Sequence, residues 1–163
     1  MSKKEIIEYI FLLFTFVSRC GNSLNTCAPD SNVYNFSLGW NSVKTTTFFN
    51  ASHYESDIST EFAYKTGDDL AQSTSYQSLT RTNLGNDNDQ SFSGMMHLFN
   101  PSSTTFVKHF IANTNYQHAD EYNIDVYPAG YANTTSAITG VRFQAISGNI
   151  DSGSFKLYGI KDS

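Results

Sequence analysis

Three pairs of neighbouring acids, Glu55 with Asp57, Asp68 with Asp69 and Asp120 with Glu121, are the residues of this chain best suited to proton transfer. Cleaving a glycosidic bond takes two carboxyl groups that flank it, one acting as acid and the other as base or nucleophile. Acids this close together in polar stretches are solvated turns on the plainer reading, so no catalytic residue is assigned. Asp87 and Asp89, interleaved with Asn86 and Asn88, offer hard oxygen ligands for calcium. The run lacks the glycine turn and distal carboxylate of a calcium loop, which makes it a solvated connection. His97 and His109 fall on the two arms of a hairpin expected around Ser102 and Ser103, where a suitable register sets them opposite one another. Cross-strand histidines bind a transition metal or switch with pH. With no third ligand in the sequence, packing is the simpler role, and neither metal nor cofactor is expected. His53 and His118 read as loop histidines.

Aromatic rings on loops are the remaining chemistry, because Tyr and Trp stack on sugars while their polar atoms hydrogen-bond. Trp40 falls on the apolar face of a strand and belongs to the core. Tyr116 and Tyr131, read as loop residues, are therefore the candidate contacts for a glycan or partner. The nucleophile elbow G-x-S-x-G, the zinc motif H-E-x-x-H, the C-x-x-C pair and the phosphate loop are all missing, which removes the easily recognised enzymes. The Asn-x-Ser/Thr matches at Asn35, Asn50 and Asn133 are expected by chance in a chain this rich in those residues.

The elements that must position these side chains are strands. The chain has thirteen Phe, ten Tyr and many Ser, Thr and Asn, against 15% charged residues; such a composition suits half-buried pleated surfaces joined by frequent turns. Alternation predicts strands over residues 33–40, 43–49, 61–65, 76–81, 91–99, 105–112 and 121–127. Residues 137–161 read as one long hairpin, with Val141, Phe143 and Ala145 alternating before the turn residues 148–153 and Phe155 and Leu157 after them. Phe143, Phe155 and Leu157 are expected to share its dry side. Phe106 and Phe110 point one way and Val107 and Ile111 the other, so that stretch needs cover on both sides, from a loop or another subunit. At 163 residues the chain has the length of one domain. The expected class is all-β, an antiparallel β-sandwich of jelly-roll type.

Residues 98–111 (LFNPSSTTFVKHFI) and 137–161, with 130–137 and 67–74, resemble the C-terminal β-sandwich of small virion structural proteins of tailed bacteriophages, especially marine ones. The resemblance spans roughly residues 43–161 and is pattern-level. It implies a sandwich fold and a place in a virion, at a tail fibre, tail tip or capsid appendage, and no catalytic residue travels with it. By that resemblance the partners are further copies of the chain, as a trimer if it follows the symmetry common among phage fibres, other virion proteins and a host-surface glycan.

The N-terminus has three readings. Lys3 and Lys4 precede an apolar run, residues 6–17, as in a secretory signal of about 7 to 15 apolar residues. Arg19 before Cys20 makes a poor cleavage site, and Glu8 interrupts the run. A stable membrane span needs about 20 apolar residues, more than this run supplies. The third reading is a buried strand rich in Ile, Phe and Val. Residues 1–32 thus form an apolar segment, strand or leader, followed by a loop, and residues 33–163 form the sandwich domain. Cys20 and Cys27, in C-x6-C spacing, match no metal motif; a disulfide closing so short a loop is one reading, and free thiols, in the reducing cytoplasm where phage proteins assemble, are the favoured one. A net charge of −5 argues against nucleic acid as a partner. The expected function is a non-enzymatic virion component, with a secreted lectin-like module as the rival if the leader is cleaved and a glycan depolymerase as the third.

Overall fold

The structure, a computed structural model, describes residues 7–17, 34–38, 42–84, 90–145, 150 and 152–161. Every strand pairing in it is antiparallel, as the all-β expectation requires. The strands are β1 (Ile7–Val17), β2 (Tyr34–Leu38), β3 (Lys44–Tyr54), β4 (Thr60–Tyr64), β5 (Gln77–Ser78), β6 (Phe92–Phe99), β7 (Lys108–His118), β8 (Tyr122–Ala132), β9 (Val141–Ala145) and β10 (Ser152–Lys161). Seven form one sheet in the order β10-β1-β6-β7-β8-β3-β4, and three form a second in the order β5-β2-β9. The two facing layers are compatible with the expected sandwich of jelly-roll type.

Period-two burial explains which side of the large sheet is the core. On β7, Lys108, Phe110, Ala112, Thr114, Tyr116 and His118 are buried, while Ile111 on the opposite face is 53% exposed. Their cross-strand partners continue the same inner face, with Phe110 opposite Leu98 and Tyr116 opposite Phe92 on β6, and Thr114 opposite Val126 and Tyr116 opposite Ile124 on β8. Leu12 and Phe14 extend it onto β1, where Phe14 stacks on Phe92 and meets Phe143 of the second layer. Two features let β8 sit mid-sheet. Pro128 faces Phe48 on β3, and the β7–β8 register lapses between Ile111–Ala129 and Thr114–Val126, so its missing N–H falls where no ladder bond is made. Gly130 permits the closest approach: a Cβ there would stand 2.3 Å from the Thr45 carbonyl oxygen.

Much of the inner face is polar, and several of its groups are paired across it. Thr46 Oγ1 donates to Gln77 Oε1 at 2.5 Å and accepts from the Leu70 N–H, Gln77 Nε2 donates to the Asp68 carbonyl, and Thr114 Oγ1 donates to the Leu79 carbonyl at 2.6 Å. These bonds pin residues 68–82 across the sheet, so that Leu79 and Leu84 become core. Lys44 and Lys108, both opposite Ala132, are buried with their ammonium groups on backbone carbonyls, of Ser42 and Thr74 for the first and Phe106 and Thr134 for the second. Burial pushes both below the ordinary lysine range.

The expected hairpin over residues 137–161 is corrected. β9 pairs with β2 in the small sheet, and β10 pairs with β1 in the large one. The two strands lie in different sheets rather than in one ladder. Phe143 and Phe155 do meet, with ring centroids 5.0 Å apart, but Phe155 and Leu157 are 48% and 66% exposed and are not core. Residues 7–17, left open between strand and leader, form β1, paired on both sides with β10 and β6. Cys20, Cys27, Trp40, Asp87 and Asp89 lie outside the described residues, and with them the expectations on thiols, calcium and Trp40.

Candidate functional site

Antiparallel hairpins bring their turns to one end of a sheet, and here the β3–β4 turn meets the β7–β8 turn, where the Glu55 N–H donates to the Glu121 carbonyl. Asp57 and Glu121 adopt left-handed backbone, with φ of 57° and 58°, which makes both reversals tight. Beside these turns, on the inner face beyond the cover of residues 68–82, lies an open cleft of about 320 Å³ lined by Ser52, Tyr54, Ser59, Thr60, Glu61, Arg81 and Tyr122. β3 and β4 place Ser52 opposite Glu61, and β3 and β8 place Tyr54 opposite Tyr122.

The cleft has an aromatic wall and a charged one. Tyr54 stacks on Tyr122 with centroids 4.4 Å apart, and Tyr122 in turn stacks on His118 at 4.1 Å. Facing them, Glu61 receives Lys65 Nζ at 2.5 Å and stands 3.7 Å from the Arg81 guanidinium. The Lys65 hydrogen bond, with smaller contributions from the Asn50 amide and the Arg81 charge, holds the Glu61 carboxyl below its ordinary range. Burial raises the Tyr122 phenol, which therefore stays a neutral donor at physiological pH. Ring faces, five hydroxyl-bearing side chains and an ionised acid beside a guanidinium are what a sugar needs: an apolar platform with donors and acceptors for its hydroxyls.

The residues singled out from sequence are mostly elsewhere. Tyr116 is corrected: it sits on β7 with 1% of its surface exposed, and its hydroxyl accepts the Arg81 and Thr82 N–H groups at 3.2 Å each. Its ring is out of reach of a sugar, although through Arg81 it braces the cleft. Tyr131 is on β8, half-buried on the outer face beside His109, not in a loop. His97 pairs with Ile111 and His109 with Tyr131, so the two histidines are not opposite one another. Among the described residues no group of three His, Cys, Asp or Glu side chains is placed to hold a metal. The acids regroup: Glu55 and Glu121 both accept from Gln117 Nε2 on the exposed turns, and His53 bonds Asp57. Comparison with protein-family models, curated proteins and solved structures finds no match.

His118, expected in a loop, ends β7 with 6% exposure, and its Nδ1 accepts the Asp120 N–H at 3.0 Å. Burial pushes its imidazole below the ordinary 6.5, against the pull of Asp120. The unfolded chain therefore takes up a proton that the folded chain resists. His118 contributes its full stability above about pH 6.5 and loses it as pH falls towards the lower folded-state value. The urea midpoint should drop on acidification through that window, and His118→Gln should remove this component. Equal pH slopes in the two proteins would contradict the assignment.

Proposed function

We propose that this chain is a non-enzymatic structural component of a tailed-phage virion, at a tail fibre, tail tip or capsid appendage, that associates with its own copies and with other virion proteins and contacts host-surface glycan through the Tyr54–Tyr122 cleft. The observation that carries the glycan contact is the cleft, an aromatic stack facing the Glu61–Arg81 pair at the end where two hairpin turns converge. The assembly reading is supported by the outer face of the large sheet, where Phe62, Met95, Ile111, Tyr127, Tyr158 and Ile160 are all at least 39% exposed. Single exposed apolar residues are ordinary, but the register sets Tyr158, Phe11, His97 and Ile111 side by side across four strands, and a continuous, mostly apolar row of this kind marks an interaction surface. The mechanism is passive: a rigid two-layer body displays the cleft, and repeated copies turn weak contacts into firm attachment.

A secreted lectin-like module shares the cleft but needs a working protein without its leader; the pairing of β1 on both edges favours the virion reading. A glycan-turnover assay separates both from a depolymerase, and no hydrolysis is expected.

Attachment to host polysaccharide is expected to weaken about fivefold per site in Tyr54→Ala or Arg81→Ala, since one lost stacking or charge-assisted contact is worth about 1 kcal/mol. Melting temperatures should be nearly unchanged, because neither side chain is core. Tyr131→Ala serves as the control. Loss of attachment in that variant, with the cleft variants intact, would move recognition to the outer face.

A further inference from the structure

β10 is an edge strand built unlike one. Edges are ordinarily short, charged or covered, because their free N–H and C=O groups template pairing with another chain. The opposite edge obeys this: β4 has five residues and carries Glu61. β10 runs for ten residues, without proline and with Lys156 and Lys161 as its charges. It is apolar on both faces, with Phe155 and Leu157 on the inner side at 48% and 66% exposure and Tyr158 and Ile160 on the outer side at 47% and 55%. Outward of it, Tyr9, Phe11, Leu13, His97, Tyr158, Gly159 and Ile160 line an open apolar groove of about 560 Å³ that continues to the edge.

We infer that β10 is a homotypic pairing strand, joining its counterpart in a second copy antiparallel across a two-fold axis at Leu157, so that two seven-stranded sheets become one. The strand's own sequence selects this register. With Leu157 facing Leu157 of the second copy, Lys156 faces Tyr158 on the outer side, setting an ammonium over a ring. On the inner side Phe155 faces Gly159, an aromatic ring covering a glycine across the ladder. The three central pairs are complementary, Ser154 and Gly153 face Ile160 and Lys161 further out, and no like charges are opposed. The two-fold makes the contact self-complementary and closed, which stops the sheet from growing into a fibre. At about 150–250 Å² per large side chain, the four exposed apolar residues can remove on the order of 400 Å² per copy. That is roughly half of the ~800 Å² per partner of a stable interface, before backbone and groove are counted. A concentration-dependent dimer is the state this area supports.

The inference deepens the self-association part of the proposed function and is independent of the glycan cleft. Its test is light scattering of the full chain across concentration, with Leu157→Lys and, in a Cys20→Ser/Cys27→Ser background, Leu157→Cys. The expected results are a dimer, at least a tenfold weaker dimer in Leu157→Lys with an unchanged melting temperature, and a disulfide-linked dimer of Leu157→Cys on mild oxidation. Thr66→Cys, exposed in the turn after β4 at the opposite edge, should not cross-link. A dimer or trimer insensitive to Leu157→Lys, with no cross-link at position 157, would overturn the β10 pairing while leaving self-association in place. A monomer at every concentration with no cross-link would overturn both.

Discussion

Tyr116→Ala is expected to lower the folding free energy by about 3–5 kcal/mol, the range for emptying a buried aromatic site. The ring is almost wholly enclosed and packs beside Phe92, and its hydroxyl is the acceptor for the N–H groups of Arg81 and Thr82. Tyr116→Phe keeps the volume and removes that acceptor, so it should cost less, about 1–3 kcal/mol, for the two N–H groups it strands. Because Arg81 leads directly into the cleft, the Phe variant should also weaken glycan attachment without touching the ligand. Denaturation curves for the three proteins decide the matter. A Tyr116→Ala loss below about 1 kcal/mol would mean that the segment carrying Arg81 is not anchored to β7 as described.

Deleting residues 1–17 is expected to have a larger effect still: loss of cooperative folding. β1 lies between β10 and β6, so its removal breaks the ladder on both sides, takes Leu12 and Phe14 out of the core and leaves β10 with no sheet to join. Phe143 would lose its Phe14 contact at the same time. The shortened chain should show no sigmoidal unfolding and should aggregate through its exposed strand edges. A cooperative melt from the shortened chain would show that the fold stands without β1, as a cleaved leader requires.

The strands most legible in the sequence are those whose inner face is apolar. Ile124 and Val126 announce β8 by alternation, as Phe92, Met96 and Leu98 announce β6. The sequence predicts that β7 stops at Ala112 because its second half, residues 113–118, offers Tyr116 among polar residues and no aliphatic side chain on either face. Thr114 and His118 are buried there through hydrogen bonds that sequence does not display. That same hidden continuation turned Tyr116 from a loop residue into a core one. The hairpin expected at residues 137–161 fails for a different reason: alternation states which residues share a face but not which strand lies alongside, and a glycine- and asparagine-rich stretch suits a hairpin or a change of sheet equally. The cleft was not legible at all. Tyr54, Glu61, Arg81 and Tyr122 come from separate strands and a pinned segment, and each alone resembles an ordinary surface residue until the register sets them together.

The most direct test of the central claim is mass spectrometry of purified virus particles, combined with cryo-EM of the same preparation. The account predicts the chain at a fixed copy number in the particle, with peptides covering residues 7–17 present and two-layered β density at a fibre, tail tip or capsid appendage. Absence from the particle, together with recovery from the medium of a chain that begins after residue 17, would contradict it and leave the secreted lectin-like module in its place.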